Sequence, residues 1–164
     1  MYTVDALNQT SLEEFAAILG GVFEDSPWIA EKAAAAKPFS SKERVFQAMV
    51  NILENSSKEQ KLALIQAHPN LGGRMEMSAH SNTEQEGAGL KQLTRDEYEK
   101  FQAMNQRYME KFGFPFILAV RGKGKKEIYQ AMEARVNHGE EEEFETALKE
   151  ICKIARLRLE EIIQ

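Results

Sequence analysis

Residues 94 to 111 read TRDEYEKFQAMNQRYMEK, and this stretch has both the start signal and the periodicity of a helix. Thr94 is followed three positions later by Glu97, the spacing of a capping box, in which each side chain bonds the backbone N–H of the other residue. The stretch therefore predicts a helix that begins after Thr94. Its apolar side chains recur at every third or fourth position, as on a helix with one buried face: Phe101, Met104 and Tyr108.

The same start signal occurs three more times, at Ser11 with Glu14, Ser40 with Glu43, and Ser57 with Gln60. Apolar residues repeat with helical spacing behind these starts. The predicted class is all-α, a single-domain bundle of about eight helices over residues 1–164. The helices are predicted at about 11–24, 27–36, 41–55, 58–67, 83–92, 95–111, 124–137 and 140–163.

Only residues 114–120 break the helical pattern, because they form a short apolar run that contains a proline and is flanked by glycines. We expect this segment to be extended and buried. The gap from 69 to 82 is a second irregular segment, and loops of that length between helices are often functional. Two irregular segments beside packed helices can form the walls of one pocket.

Composition excludes several classes of function. Lys and Arg total 21 against 26 for Asp and Glu, a net charge of -5, so no basic face is available to bind nucleic acid. No run of about 18 apolar residues predicts a membrane span, and the first residues do not form an export signal. The single Cys152 excludes an intramolecular disulfide and, among apolar neighbours, is interpreted as an inert thiol. A cytoplasmic location is expected.

His68 is the first candidate for chemistry, because it comes where a predicted helix ends and Pro69 restricts the backbone after it. A histidine held there has a pKa close to neutrality and suits general acid–base catalysis. The alternative is that His68 only caps the last carbonyls of its helix. Position alone favours the capping role.

A metal or cofactor site is not predicted. The other histidines, His80 and His138, do not lie three or four residues from a second histidine, as paired ligands on a helix do. Both are interpreted as solvent-exposed. The glycine pairs match neither the dinucleotide-binding nor the phosphate-binding spacing, so an enzyme with this sequence is expected to need no cofactor.

Three charged features stand out, and the first two have two interpretations each. Glu84 has the spacing of a capping box with Ser81, but the small residues after it also leave room for a ligand. Arg121 follows a buried apolar run, so it binds either an internal carboxylate or the carboxylate of a ligand. Residues 140–143 are four glutamates, most simply a solvated first turn that complements a helix dipole.

Three motifs in order resemble one enzyme family. They are HPNLGG at 68–73, SNTEQEGAGL at 81–90 and FGFPFILAVRG at 112–122. Together they resemble 2-oxo-4-hydroxy-4-carboxy-5-ureidoimidazoline (OHCU) decarboxylase, an enzyme of urate breakdown, and the resemblance extends almost from end to end. It implies an all-helical homodimer, free of metal and organic cofactor, that converts the small molecule OHCU to S-allantoin.

The resemblance also implies the site residues. His68 corresponds to the catalytic histidine of the family and Glu84 to its active-site glutamate. Two other readings stay open: a helical binding module in which both residues are caps, and an enzyme of this fold with a changed substrate. The positions expected to contact substrate are Pro69, Ser81, Gln85 and Arg121, together with the backbone of Phe116, Ile117, Leu118, Ala119 and Val120.

Overall fold

The computed structural model describes residues 1–71 and 93–164, and this part of the chain is helical, as predicted. The all-α class is confirmed. The predicted helix at 83–92 lies outside the described residues. In chain order the described α-helices are α1 (Val4–Asn8), α2 (Leu12–Leu19), α3 (Pro27–Ala33), α4 (Lys42–Glu54), α5 (Lys58–Ala67), α6 (Arg95–Phe112), α7 (Lys125–Arg135) and α8 (Glu140–Ile162), with a 3-10 turn at Ala34–Ala36.

The chain divides into two compact units. The first consists of Met1–Ala67 with Ile151–Gln164, and the second is His68–Glu150. The division therefore falls directly after α5 and again within α8. A single domain over 1–164 stays a prediction.

In the first unit, α3 packs against both α2 and α4. The ring of Phe15 on α2 stacks on Phe39 at a centroid distance of 5.9 Å. The side chain of Asn8 fixes the backbone of Phe39, accepting from its N–H at 2.7 Å and donating to its carbonyl at 2.9 Å. These contacts hold the connection between α3 and α4 against the helices before it.

Three of the predicted capping boxes are formed in both directions, Ser11 with Glu14, Ser57 with Gln60 and Thr94 with Glu97. The predicted box at Ser40 is wrong. Ser41 is the N-cap of α4, and its hydroxyl oxygen accepts from the N–H of Arg44 at 3.2 Å. Glu43 instead accepts two hydrogen bonds from Arg156 on α8, at 2.7 and 3.0 Å, a contact that no local spacing predicts.

Two other features differ from the sequence prediction. The helix predicted over 11–24 ends at Leu19, where two consecutive glycines with low helix propensity, Gly20 and Gly21, follow. The short helix α1 was not predicted. Its one signal is Thr3, whose hydroxyl oxygen caps the N–H of Ala6.

In the second unit, α6 packs against α7. The rings of Phe101 and Tyr129 meet edge to face with centroids 5.1 Å apart, and Lys125 donates to Glu97 at 2.8 Å. This bond, with the capping bonds of Thr94, lowers the pKa of the half-buried Glu97 carboxyl to about 2. Among the described residues, no helix is long and apolar enough to cross a membrane.

Candidate functional site

His68 begins the second unit, directly after α5 ends at Ala67. Its side chain is buried, with 8% of its surface exposed, whereas Pro69 and Asn70 are exposed. A buried imidazole has fewer rotamers and a less aqueous environment than one that only caps a helix at the surface. The burial of His68 is therefore compatible with an acid–base group held in a fixed orientation.

The turn after His68 is held by a buried amide on α6. Asn105 is 3% exposed, and its Nδ2 donates to Asn70 Oδ1 at 2.8 Å. Asn105 Oδ1 accepts no hydrogen bond from the described part of the chain. Buried polar groups are nearly always paired, so the burial of this amide points to a positioning role and not to apolar packing.

Replacing Asn105 with Leu is expected to lower kcat/KM about tenfold for the decarboxylation that the sequence resemblance implies. The change loosens the turn and so displaces the neighbouring His68 by a fraction of an ångström. Stability should change little, since exposed Asn70 can bond to water instead. The matched control is Gln106→Leu, which removes an exposed amide from the next position of α6. Equal kinetics in the two variants would contradict a role for Asn105.

Residues 115–120 follow α6 without helical or strand pairing, and Phe116 and Ile117 are buried. Three of their backbone groups bond within the second unit. The Ile117 carbonyl oxygen accepts from Arg135 Nη1 at 2.6 Å, and the Ala119 N–H donates to Glu150 Oε1 at 3.0 Å. The Val120 carbonyl accepts from the N–H of Lys123 at 2.9 Å.

Four polar side chains form what we call the buried arginine cluster: Tyr108, Arg135, His138 and Glu143. Glu143 is fully buried, and its Oε2 accepts from Arg135 Nε at 2.9 Å and from Arg135 Nη2 at 2.5 Å. His138 Nδ1 lies 3.0 Å from Glu143 Oε1 and carries the hydrogen of that bond, because a carboxylate only accepts. The hydroxyl of Tyr108 donates to Oε2.

Aromatic rings surround this cluster. The guanidinium of Arg135 lies 4.4 Å from the centroid of the Phe116 ring, and the Tyr108 ring meets Phe116 edge to face at 5.2 Å. Burial, with the adjacent Glu143 carboxylate, raises the pKa of the Tyr108 hydroxyl well above its ordinary value. Tyr108 therefore remains a hydrogen-bond donor throughout the usual pH range.

The cluster corrects two sequence expectations. Glu143, the last residue of the supposedly solvated acidic turn, is buried, while Glu140, Glu141 and Glu142 are exposed. His138 is half-buried and bonded to Glu143, so it is not the exposed histidine that was expected. Four consecutive glutamates contain no local signal that marks one of them as buried.

The remaining predicted positions divide into two groups. Arg121 ends the apolar segment with its side chain exposed, so both interpretations of its partner stay open. Ser81, Glu84 and Gln85 lie outside the described residues. His68, Pro69 and the segment 116–121 belong to the same compact unit.

Cys152 and the described cavities are separate from these residues. Burial, with Glu54, raises the pKa of the Cys152 thiol to about 11, so little of the nucleophilic thiolate exists at neutral pH.

Two cavities, of about 620 and 450 Å³, are lined respectively by residues that include Phe46 and Tyr129. Within the described residues, no group of three potential metal ligands occurs.

A comparison with known families matches residues 8–160 to the family described as OHCU decarboxylase. A protein of Halalkalicoccus jeotgali named 2-oxo-4-hydroxy-4-carboxy-5-ureidoimidazoline decarboxylase is 47% identical over 160 residues. The match covers 98% of this chain and 91% of that protein. The similarity therefore extends over nearly the whole length of both.

Two longer proteins contain a similar part. The uric acid degradation bifunctional protein PucL of Bacillus subtilis is 47% identical over 163 residues, which cover 99% of this chain and 33% of that protein. A crystal structure of (S)-allantoin synthase is 36% identical and superimposes with a TM-score of 0.82, over 99% of this chain and 54% of that one. In both cases the chain corresponds to one part of the larger protein.

Proposed function

Because this chain belongs to the OHCU decarboxylase family, the carboxy-lyases of urate degradation, we propose that it converts OHCU to S-allantoin without a cofactor. In this proposal His68 transfers the proton and Glu84 assists. The observation that carries it is the buried His68 at the start of the second unit, beside a turn that Asn105 holds. A histidine that served only as a helix cap would not need either feature.

The substrate supplies its own electron sink. Decarboxylation breaks the bond between a ring carbon and the carboxylate, and the electron pair of that bond passes into the adjacent unsaturated ring as an enolate-like species. One proton is then taken up for each carbon dioxide lost. The protein has to orient the ring, stabilise the developing charge and deliver the proton to one face, so neither a metal nor an organic cofactor is required.

His68 is the group that we assign to proton transfer, either removing the proton of the substrate hydroxyl or supplying the proton to carbon. An imidazole does both at neutral pH. Pro69 restricts the backbone next to it, and the bond from Asn105 to Asn70 restrains the following residue. These restraints support a fixed ring position, which a stereospecific proton transfer needs.

Glu84, Ser81 and Gln85 complete the proposed site on the basis of family membership. Glu84 is assigned to orient His68 or to face the departing carboxylate. A carboxylate near the substrate carboxylate would repel it, and loss of carbon dioxide would relieve that repulsion. Arg121 is assigned to a carbonyl or anionic edge of the substrate, which its planar guanidinium can bind at two points.

The backbone of 116–120 is assigned to the urea-like edge of the substrate, and Leu118 is the best placed residue in it. The Ile117 carbonyl and the Ala119 N–H already bond to Arg135 and Glu150. In an extended chain, the backbone groups of successive residues point in opposite directions, and those of Ile117 and Ala119 therefore share one side. The N–H and carbonyl of Leu118 would then point away from Arg135 and Glu150. They present one donor beside one acceptor, which complements the N–H and C=O of a ureide.

We also propose that residues 1–164 act as one domain and assemble as a homodimer. The family match over residues 8–160 supports the single domain. The Bacillus subtilis relative is named a bifunctional protein and is about three times as long as the matched part. The second activity of such a protein is not assigned to this chain.

The experiment that tests the proposed function generates OHCU fresh from urate with urate oxidase and hydroxyisourate hydrolase. The protein is then added, and the appearance of S-allantoin is followed by circular dichroism. We expect optically active product to form much faster than in the control without protein. Folded protein that leaves the spontaneous decay of OHCU unchanged would reject the proposal and favour a binding role.

A further inference from the structure

Stability alone does not account for the buried arginine cluster. Arg135 and Glu143 have side chains that are 7% and 0% exposed. The free energy needed to remove two charges from water is about as large as the free energy gained from their mutual attraction. Well-packed apolar residues can therefore often replace such pairs without loss of stability. A buried ion pair at this position therefore points to a requirement for a defined geometry.

The geometry that Arg135 imposes is that of the segment after α6. Its Nε and Nη2 bond to Glu143, which leaves Nη1 to donate to the Ile117 carbonyl oxygen at 2.6 Å. The guanidinium is planar and rigid, so the orientation of Glu143 sets the position of the Ile117 carbonyl. The same guanidinium lies against the ring of Phe116, which fixes the preceding residue as well.

Glu143 is itself fixed from two further directions. The hydroxyl of Tyr108, on α6, donates to one carboxylate oxygen, and His138 bonds the other. Tyr108 also contacts the ring of Phe116 edge to face. The carboxylate therefore connects α6 and α8 to the backbone at Ile117 through one guanidinium.

We propose that Arg135, with Glu143 and Tyr108, forms a positioning device that sets the backbone of Ile117 and Leu118 for binding the ureide edge of the substrate. This inference rests on the proposed function of that backbone. Arg135 is a positioning residue and not a catalytic one, because each of its three side-chain nitrogens bonds a group of the protein. Its contribution lies in the orientation of the neighbouring donor and acceptor.

The test compares Arg135→Lys with wild-type enzyme in the OHCU assay, measuring kcat and KM separately. Lysine keeps the charge opposite Glu143 but has one nitrogen in place of the three that Arg135 uses. We expect kcat/KM to fall about 100-fold, as for a displacement of about 1 Å in a binding group. A large part of the loss should appear as a higher KM, since substrate contacts are lost.

The matched control is Leu53→Ala, which removes a buried side chain from α4 in the first unit. We expect it to lower stability, and it lies outside the unit that contains the segment at 116–120. Both variants are assayed below their unfolding transitions. A fall in kcat/KM for Arg135→Lys that is no larger than for Leu53→Ala would overturn the positioning role, because a structural effect would then suffice.

A second variant covers the case in which Arg135→Lys does not fold. Glu143→Gln keeps an acceptor for Tyr108 but weakens the hold on the guanidinium, and we expect kcat/KM to fall about tenfold, again with a raised KM. Values within twofold of wild type would overturn the inference. If wild-type enzyme fails to act on OHCU, the proposed function and this inference are both rejected. If wild-type enzyme is active and the variants are equally active, only this inference is rejected.

Discussion

Replacing His68 with Ala is expected to lower kcat for OHCU by about 100- to 10,000-fold, the range that a general acid–base group contributes. The substrate's own electron sink remains, so residual turnover should persist above the spontaneous rate. The fold should survive, because His68 lies at the end of α5 and not within a helix. The measurement is the initial rate of S-allantoin formation by circular dichroism.

The control for this variant is Gln66→Ala, which changes an exposed side chain two residues earlier on α5. Its kcat should match that of wild type. His68→Asn provides a second check, since it keeps a polar side chain but has no group that titrates near neutrality. Ordinary turnover by folded His68→Ala would remove His68 from the catalytic role.

Replacing Glu143 with Leu is expected to cost about 3–5 kcal/mol of unfolding free energy, the loss typical of removing one partner from a buried ion pair. The change leaves the guanidinium of Arg135 buried without its carboxylate and removes the acceptor for Tyr108 and His138. Urea unfolding followed by far-ultraviolet circular dichroism measures the loss directly.

The same turn of α8 offers a matched control. Glu141→Leu replaces an exposed glutamate two positions earlier and should change stability by less than about 1 kcal/mol, the usual size of a surface charge at a helix start. Adding Arg135→Met to Glu143→Leu should recover part of the loss, since no buried charge is then unpaired. Equal losses for Glu141→Leu and Glu143→Leu would contradict the buried position of Glu143.

Most of the predicted helix starts were confirmed, because their capping partners are close in sequence. Ser11 with Glu14 and Thr94 with Glu97 form their bonds within three residues, so local spacing is sufficient. Helix ends and the choice of cap were less predictable. Ser40 and Ser41 have equivalent side chains, and Glu43 pairs with Arg156 more than a hundred residues away.

Only part of the candidate site could be predicted from the sequence. His68, Pro69 and the apolar segment at 116–120 stand out because a proline beside a histidine and a non-helical apolar run are visible locally. Asn105 was missed, because it lies within α6, and the capping box and apolar periodicity that predict this helix assign no role to Asn105. Its importance comes from Asn70, 35 residues away, which only folding brings within hydrogen-bond distance.

The helical class, most helix starts and the family could be predicted without the structure, because capping, periodicity and motif order are properties of neighbouring residues. The folded structure was needed to show that Glu143 is buried while Glu141 is exposed, and that Arg135 holds the Ile117 carbonyl. Burial and ion pairing depend on which surfaces meet in space, and identical side chains in one turn of a helix face different surroundings.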